Sequence, residues 1–234
     1  LAYFADAAGH TIFAGLALAL ILGWPEKPVA PGTGAALGLG VISLTRHSRP
    51  APDTAIGLVF SGVIALSLAL VSRHSGAARG LSRFILGDIL TVTDGEILAL
   101  AGLALASLVF LALFFNHLTL ESLSPTLARL RRPLLSRFLP YLFGAWLALT
   151  VTVAVWSVGL LLVTALLVAP AAAGRAAASS AGAMFWTALA VSAVSGQLGL
   201  YVSTRPGVNT ATGATVVLAA VLIFILIQAL ARRE

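Results

Sequence analysis

The chain has 234 residues, 59% of them hydrophobic and only 9% charged, with no cysteine and a formal net charge of +6. A soluble domain carries about 25% charged residues, so a water-soluble globular fold is excluded. Without cysteine, disulfides, thiolate metal sites and thiol nucleophiles are excluded as well. The arginines sit mostly in short loops between apolar segments, which marks membrane topology, and no aromatic-studded basic face suited to nucleic acid is present.

Apolar runs that approach the ~20 residues of a bilayer-crossing helix follow one another along the chain. The period-two alternation of a membrane barrel is missing. The expected fold is therefore all-α, a polytopic transmembrane bundle of about eight helices. Its segments lie near 3–23, 33–45, 54–72, 95–115, 138–155, 157–174, 180–203 and 212–231. The first starts at Leu1 with neither a basic leader nor an initiator Met, so it does not read as a signal peptide and a missing beginning is expected.

"GWPEKPVAPGTG" (23–34) is rich in helix breakers and must end one helix and begin another. The segment 33–45 is short and glycine-rich, fit for a tilted, broken or internal helix. A short basic turn follows at 46–53, and 72–88 is long enough for an interfacial helix. The longest polar connection is 116–137, with Arg129, Arg131, Arg132 and Arg137 clustered in it. Within it "SPTLARLRR" predicts a short amphipathic helix. Ser124 suits the cap, Pro125 the first turn, and Leu127 and Leu130 share a face. This helix fits a partner protein or the anionic headgroups of membrane lipid. Between 155 and 157 no polar loop intervenes, so 138–174 reads as two short spans or one broken element around Trp156-Ser157-Val158-Gly159. The positive-inside rule puts 46–49, 129–137, 175 and 232–233 in the cytoplasm. Alternation of eight segments satisfies all four, but it places Arg73, Arg79 and Arg83 outside.

The chemistry is concentrated in "FADAAGHTIFAGLALAL" (4–20). Asp6 and His10 are at i and i+4, on one helix face about 5–6 Å apart at Cβ. Ionisable groups are expensive in hydrocarbon and normally face a bundle interior, a cavity or a pathway. Carboxylate and imidazole together suit zinc, manganese or iron in the divalent state, though two donors do not complete a site. The plainer alternative is a hydrogen-bonded pair near the membrane surface. No G-x-x-x-x-G-K-[ST] occurs and Lys27 is the only lysine, so the chain has no Walker A loop for ATP phosphates. Neither H-E-x-x-H nor G-x-S-x-G is present, so no enzyme is expected here. Gln197, inside the seventh apolar segment, reads as a helix-bridging side chain.

Several segments together resemble the permease subunit of the zinc/manganese/iron class of ATP-binding-cassette importers, the ABC-3 family. They are "YFADAAGHTIFAGLALAL" (3–20), "RPAPDTAIGLVFSG" (49–62), "FILGDILTVTDGEILAL" (84–100), "LSPTLARLRR" (123–132), "WSVGLLLVTALLVAPAAAGR" (156–175) and "TGATVVLAAVLIFIL" (212–226). The resemblance runs in order along nearly the whole chain. It implies one permease domain over 1–234, with Asp6 and His10 as metal-coordinating residues of the translocation path. It also implies a loop near 116–137 whose Ser124, Leu127, Ala128, Leu130 and Arg132 couple to a separate ATPase subunit. Further implied are a homodimer with the path at its interface, an extracytoplasmic metal-binding protein as donor, a prokaryotic plasma-membrane location and no resident cofactor. Two departures stand out. The family's Ser-His is Gly9-His10 here, and the glycine of its Ala-x-x-x-Gly is Arg132. The family also carries a transmembrane segment ahead of the one that starts this chain. The competing class is an ATP-independent carrier or channel.

Overall fold

A computed structural model of the chain describes residues 2–24, 29, 32–36, 39–40, 52–72, 89–207 and 210–231. Among these residues there is no strand, and the elements are eight α-helices and one 3-10 turn. In chain order they are α1 (Ala2–Leu22), α2 (Pro52–Val71), the 3-10 turn Ile89–Thr91, α3 (Asp94–Leu123), α4 (Pro125–Arg131), α5 (Pro133–Val158), α6 (Leu160–Ala177), α7 (Ala181–Ser203) and α8 (Thr212–Ala231). The all-α polytopic expectation is met. Five of the helices, α3 and α5 to α8, are long and apolar enough to cross a membrane.

The helix ends follow local chemistry. α1 stops at Gly23, whose φ of +64° is left-handed, and the Trp24 N–H bonds back to the Ala19 carbonyl at 2.9 Å. That is the bond of a Schellman stop, which glycine permits without strain. α3 begins at Thr93: the Glu96 carboxylate accepts from both the Thr93 backbone N–H and its hydroxyl, each at 2.9 Å. Asp94 and Glu96 also place negative charge at the positive end of the helix. α7 begins at Ser180, whose hydroxyl accepts the Ala183 N–H at 3.2 Å.

The stretch 138–174 resolves into two helices. Gly159, at φ +91° and ψ 156°, lies where only glycine sits comfortably, and it separates α5 from α6. The connection 116–137 is helical almost throughout, unlike the polar loop expected. α3 runs on to Leu123, α4 follows, and α5 starts at Pro133. Of segment 33–45, residues 33–36 and 39–40 are described and are helical. Residues 46–51 of the expected basic turn, residues 73–88 of the stretch expected to hold an interfacial helix, and 232–234 lie outside the described residues.

The core forms where α1 meets α5 and α6. Ala8, Ile12, Phe13 and Leu16 of α1 pack with Ala148, Val151 and Val155 of α5 and Leu160 and Val163 of α6. Small residues allow the remaining helices to approach closely. A Cβ on Gly174 would lie 2.6 Å from the Met184 carbonyl, and one on Gly199 would lie 2.4 Å from the Val216 Cα. Without a hydrophobic drive between helices in lipid, such close approach is a main source of association. α3 is peripheral and contains no buried residue. It leans on α5 through Trp146, whose Nε1–H donates to the Ser107 hydroxyl at 3.0 Å. The Trp146 ring also stacks on Phe110, with centroids 5.6 Å apart.

Candidate functional site

His10 lies mid-way along α1, in a stretch where Ala7, Ala8, Gly9 and Thr11 are buried. Consecutive helical residues point about 100° apart, so Gly9 and Thr11 flank the imidazole on either side. On the Gly9 side the helix lies flush with the α5–α6 junction, since a Cβ there would come within 2.8 Å of Leu160 Cδ1 and 3.5 Å of Val151 Cγ1. A serine at this position would press on Leu160, so glycine fits the contact made here. On the other side the Thr11 hydroxyl is 2.6 Å from the Ala8 carbonyl and 3.0 Å from the Gly34 carbonyl. α1 is thus fixed in rotation on both flanks of His10.

The half-buried imidazole meets α2 edge-on. The Phe60 ring is 4.6 Å away at an interplanar angle of 79°, and Phe13 is 5.8 Å away at 65°. Edge-to-face contacts of this kind orient a ring. Asp6 is one turn earlier on α1; its side chain lies outside the described residues. Among the described residues no group of three or more His, Asp or Glu side chains is close enough to share a metal ion.

The residues expected to couple to an ATPase, Ser124, Leu127, Ala128, Leu130 and Arg132, cluster at the short helix α4. Its ends are set by two residues that precede proline, Ser124 (φ −151°, ψ 92°) and Arg132 (φ −147°, ψ 80°). The ring of the following proline drives each into extended backbone and stops the helix before it. Because Arg132 is extended and not left-handed, the glycine that the family carries is not required at this bend. The Ser124 hydroxyl accepts the Leu127 N–H at 3.4 Å, and the Arg132 N–H closes the helix on the Ala128 carbonyl at 3.0 Å. Ala128 is fully buried, while Leu127 and Leu130 are 57% and 77% exposed. α4 therefore rests on its alanine and presents its leucines outward.

Behind α4 is a polar cluster that the sequence reading did not single out. His117 Nε2 is 3.1 Å from the Ser136 hydroxyl and 3.9 Å from Glu121 Oε2, a buried atom with no hydrogen bond among the described residues. His117 and Glu121 are at i and i+4, the same spacing as Asp6 and His10, so the signal was present.

The description of the ABC 3 transport family matches residues 1–231. The chain belongs to the ABC 3 transport family. A relative in this family, the manganese transport system membrane protein MntC of Listeria innocua, is 32% identical over 219 residues, covering 94% of this chain and 77% of that one. A second, the probable iron transport system membrane protein of Haemophilus influenzae, is 30% identical over 223 residues, covering 94% and 80%. Among solved structures, PsaBC from Streptococcus pneumoniae in complex with Fab superposes with a TM-score of 0.80 at 29% identity, covering 97% of this chain and 80% of that one. Membership of the ABC 3 transport family, with helices fit to cross the bilayer, makes the chain a multi-pass permease of the plasma membrane.

Proposed function

We propose that the chain is the membrane subunit of an ATP-binding-cassette importer for a divalent transition-metal ion, manganese or iron foremost and zinc by the same ligand chemistry. The likeness along nearly the whole chain to permeases named for manganese and iron carries this reading. Residues 1–234 act as one membrane domain. Two copies of the chain enclose the path between them, an extracytoplasmic metal-binding protein delivers the ion, and two copies of a separate ATPase engage the cytoplasmic loops.

In this scheme the Asp6 carboxylate and the His10 imidazole replace part of the cation's hydration shell within the bilayer. Binding must be favourable enough for entry and weak enough for release, so a partial ligand set is appropriate for a conducting site. The rings of Phe13 and Phe60 hold the imidazole in place, which reduces the ordering cost of each passage. At the other end Leu127 and Leu130 provide the apolar face that enters the ATPase. Ser124 and Arg132 fix the ends of that helix, and Ala128 seats it on the permease. Closure of the ATPase pair on nucleotide then shifts the permease between two states that bind the ion differently.

Reconstituted with its ATPase, the protein should take up radioactive manganese only with ATP. Asp6→Ala and His10→Ala should each abolish that uptake while membrane insertion and ATPase association persist. Wild-type uptake in both variants would end the site assignment. Uptake that needs no nucleotide would place the chain among ATP-independent carriers instead.

A further inference from the structure

Beneath α4 is a half-open cleft of about 360 Å³ lined by Arg129, Pro133, Ser136, Arg137 and Tyr141. Four of these are on α5 at spacings of three, four and eight residues, so they share one face running two turns down from the start of the helix. Arg129 reaches in from α4. At 100° per residue it projects about 160° away from Leu127 and about 100° from Leu130, so it is turned from the leucine face assigned to the ATPase.

We infer that this cleft is a binding site for the phosphate headgroup of an anionic membrane lipid. Arg129 and Arg137 both line it, and the planar fork of donors on each guanidinium matches phosphate oxygens two at a time. Ser136 lies at the wall, its hydroxyl 3.1 Å from His117 Nε2. The positive end of α5 adds to the same field. The positive-inside rule puts this end of the spans at the cytoplasmic headgroup level, where basic pockets between transmembrane helices hold acidic lipids.

A lipid is favoured over a free anion by what borders the cleft. Leu134, Phe138 and Leu142, at four-residue spacing along α5, are 74%, 63% and 47% exposed. They form an apolar strip beside the arginines that descends toward the hydrocarbon, where acyl chains belong. A lipid held by Arg129 and Arg137 at once bridges α4 to α5 and fixes the height of the coupling helix. This site is independent of the metal path, so its failure leaves the import reading standing.

Native mass spectrometry of the purified full chain in detergent tests the inference, with phosphatidylglycerol, phosphatidylcholine or inorganic phosphate added at matched concentrations. Wild type should retain phosphatidylglycerol in preference to phosphatidylcholine. The pair Arg129→Gln and Arg137→Gln should weaken retention roughly tenfold or more, as expected for two lost arginine–phosphate contacts. The pair Arg131→Gln and Arg175→Gln, which removes the same charge elsewhere, should not. Equal retention of both lipids, or of phosphatidylglycerol by wild type and the cleft variant, overturns the proposal. So does displacement of the lipid by inorganic phosphate at matched concentration, which marks a free-anion site. Should the cleft variant not fold, wild-type protein labelled with a photoreactive phosphatidylglycerol decides. Adducts should fall within 129–142, and adducts confined to other segments refute the site.

Discussion

Gly199 and Gly196 are three residues apart on α7, yet alanine should act on them in opposite directions. A Cβ on Gly199 would sit 2.4 Å from the Val216 Cα, 2.5 Å from the Val216 backbone nitrogen and 2.5 Å from its Cγ2. Two of these atoms are main chain, so no rotamer change relieves the clash. α7 and α8 must part by about 1 Å to restore ordinary carbon contact. Overpacking of this kind costs about 1–3 kcal/mol. The parting also stretches the bond from the Thr215 hydroxyl to the Gly199 carbonyl, now 3.0 Å, worth about 1 kcal/mol. Replacing a helical glycine by alanine returns about 1 kcal/mol through propensity. The net loss is therefore about 1–3 kcal/mol, or a melting temperature lower by about 2–12 °C for a chain of this size. Around Gly196 no atom lies within 4 Å of the added Cβ, so the propensity gain stands alone and Gly196→Ala should hold or raise the melting temperature. Thermal unfolding of the detergent-purified variants, followed by circular dichroism, makes the comparison. Equal shifts for the two variants would falsify the claim that main-chain contact at Val216 sets the α7–α8 distance.

Thr11→Val keeps the side-chain shape but strips the hydroxyl from a site that is 1% exposed and leaves the Gly34 carbonyl without its 3.0 Å donor. A loss of about 1–3 kcal/mol in the same melting assay is expected. Trp146→Phe retains an aromatic partner for Phe110 but loses the 3.0 Å bond to Ser107. It should cost about 1 kcal/mol, and Ser107→Ala on top of it should add almost nothing, because the two changes remove one bond. Ser124→Ala removes the cap of α4 and should cost that helix up to about 1 kcal/mol. Metal uptake at saturating ATP should fall while Asp6 and His10 remain intact, and unchanged uptake with unchanged ATPase affinity would detach Ser124 from coupling.

The spans were legible because apolar runs of membrane length have few other uses. Their ends were not, and α3 shows why. Hydropathy falls after residue 115 because Asn116, His117, Thr119 and Glu121 are polar, yet none of them breaks a helix. The helix continues to Leu123 and ends where Ser124 meets Pro125. Hydropathy located the end of the apolar run; the proline located the helix end. The same holds at α5, which starts at Pro133 and not at 138, where apolar residues become continuous. The two X-Pro pairs that bracket α4 were visible in the sequence, so the short helix was foreseen with its cap, while the rest of 116–137 was read as a polar connection.

The candidate site was legible only to the extent that spacing is. An i, i+4 pair puts two side chains on one face and says nothing about what that face meets. The chain offers two such acid–imidazole pairs, and tertiary structure gives the two histidines different surroundings. His10 is held edge-on by aromatic rings, one of them contributed by α2 from fifty residues away, Phe60. His117 instead meets the Ser136 hydroxyl of α5 and its own helical neighbour Glu121. Aromatic edges orient the His10 imidazole against α2, whereas a hydroxyl and a carboxylate tie His117 into the contact between α3 and α5. That contrast is set by residues remote in sequence, which is why two pairs that read alike by spacing end in different surroundings.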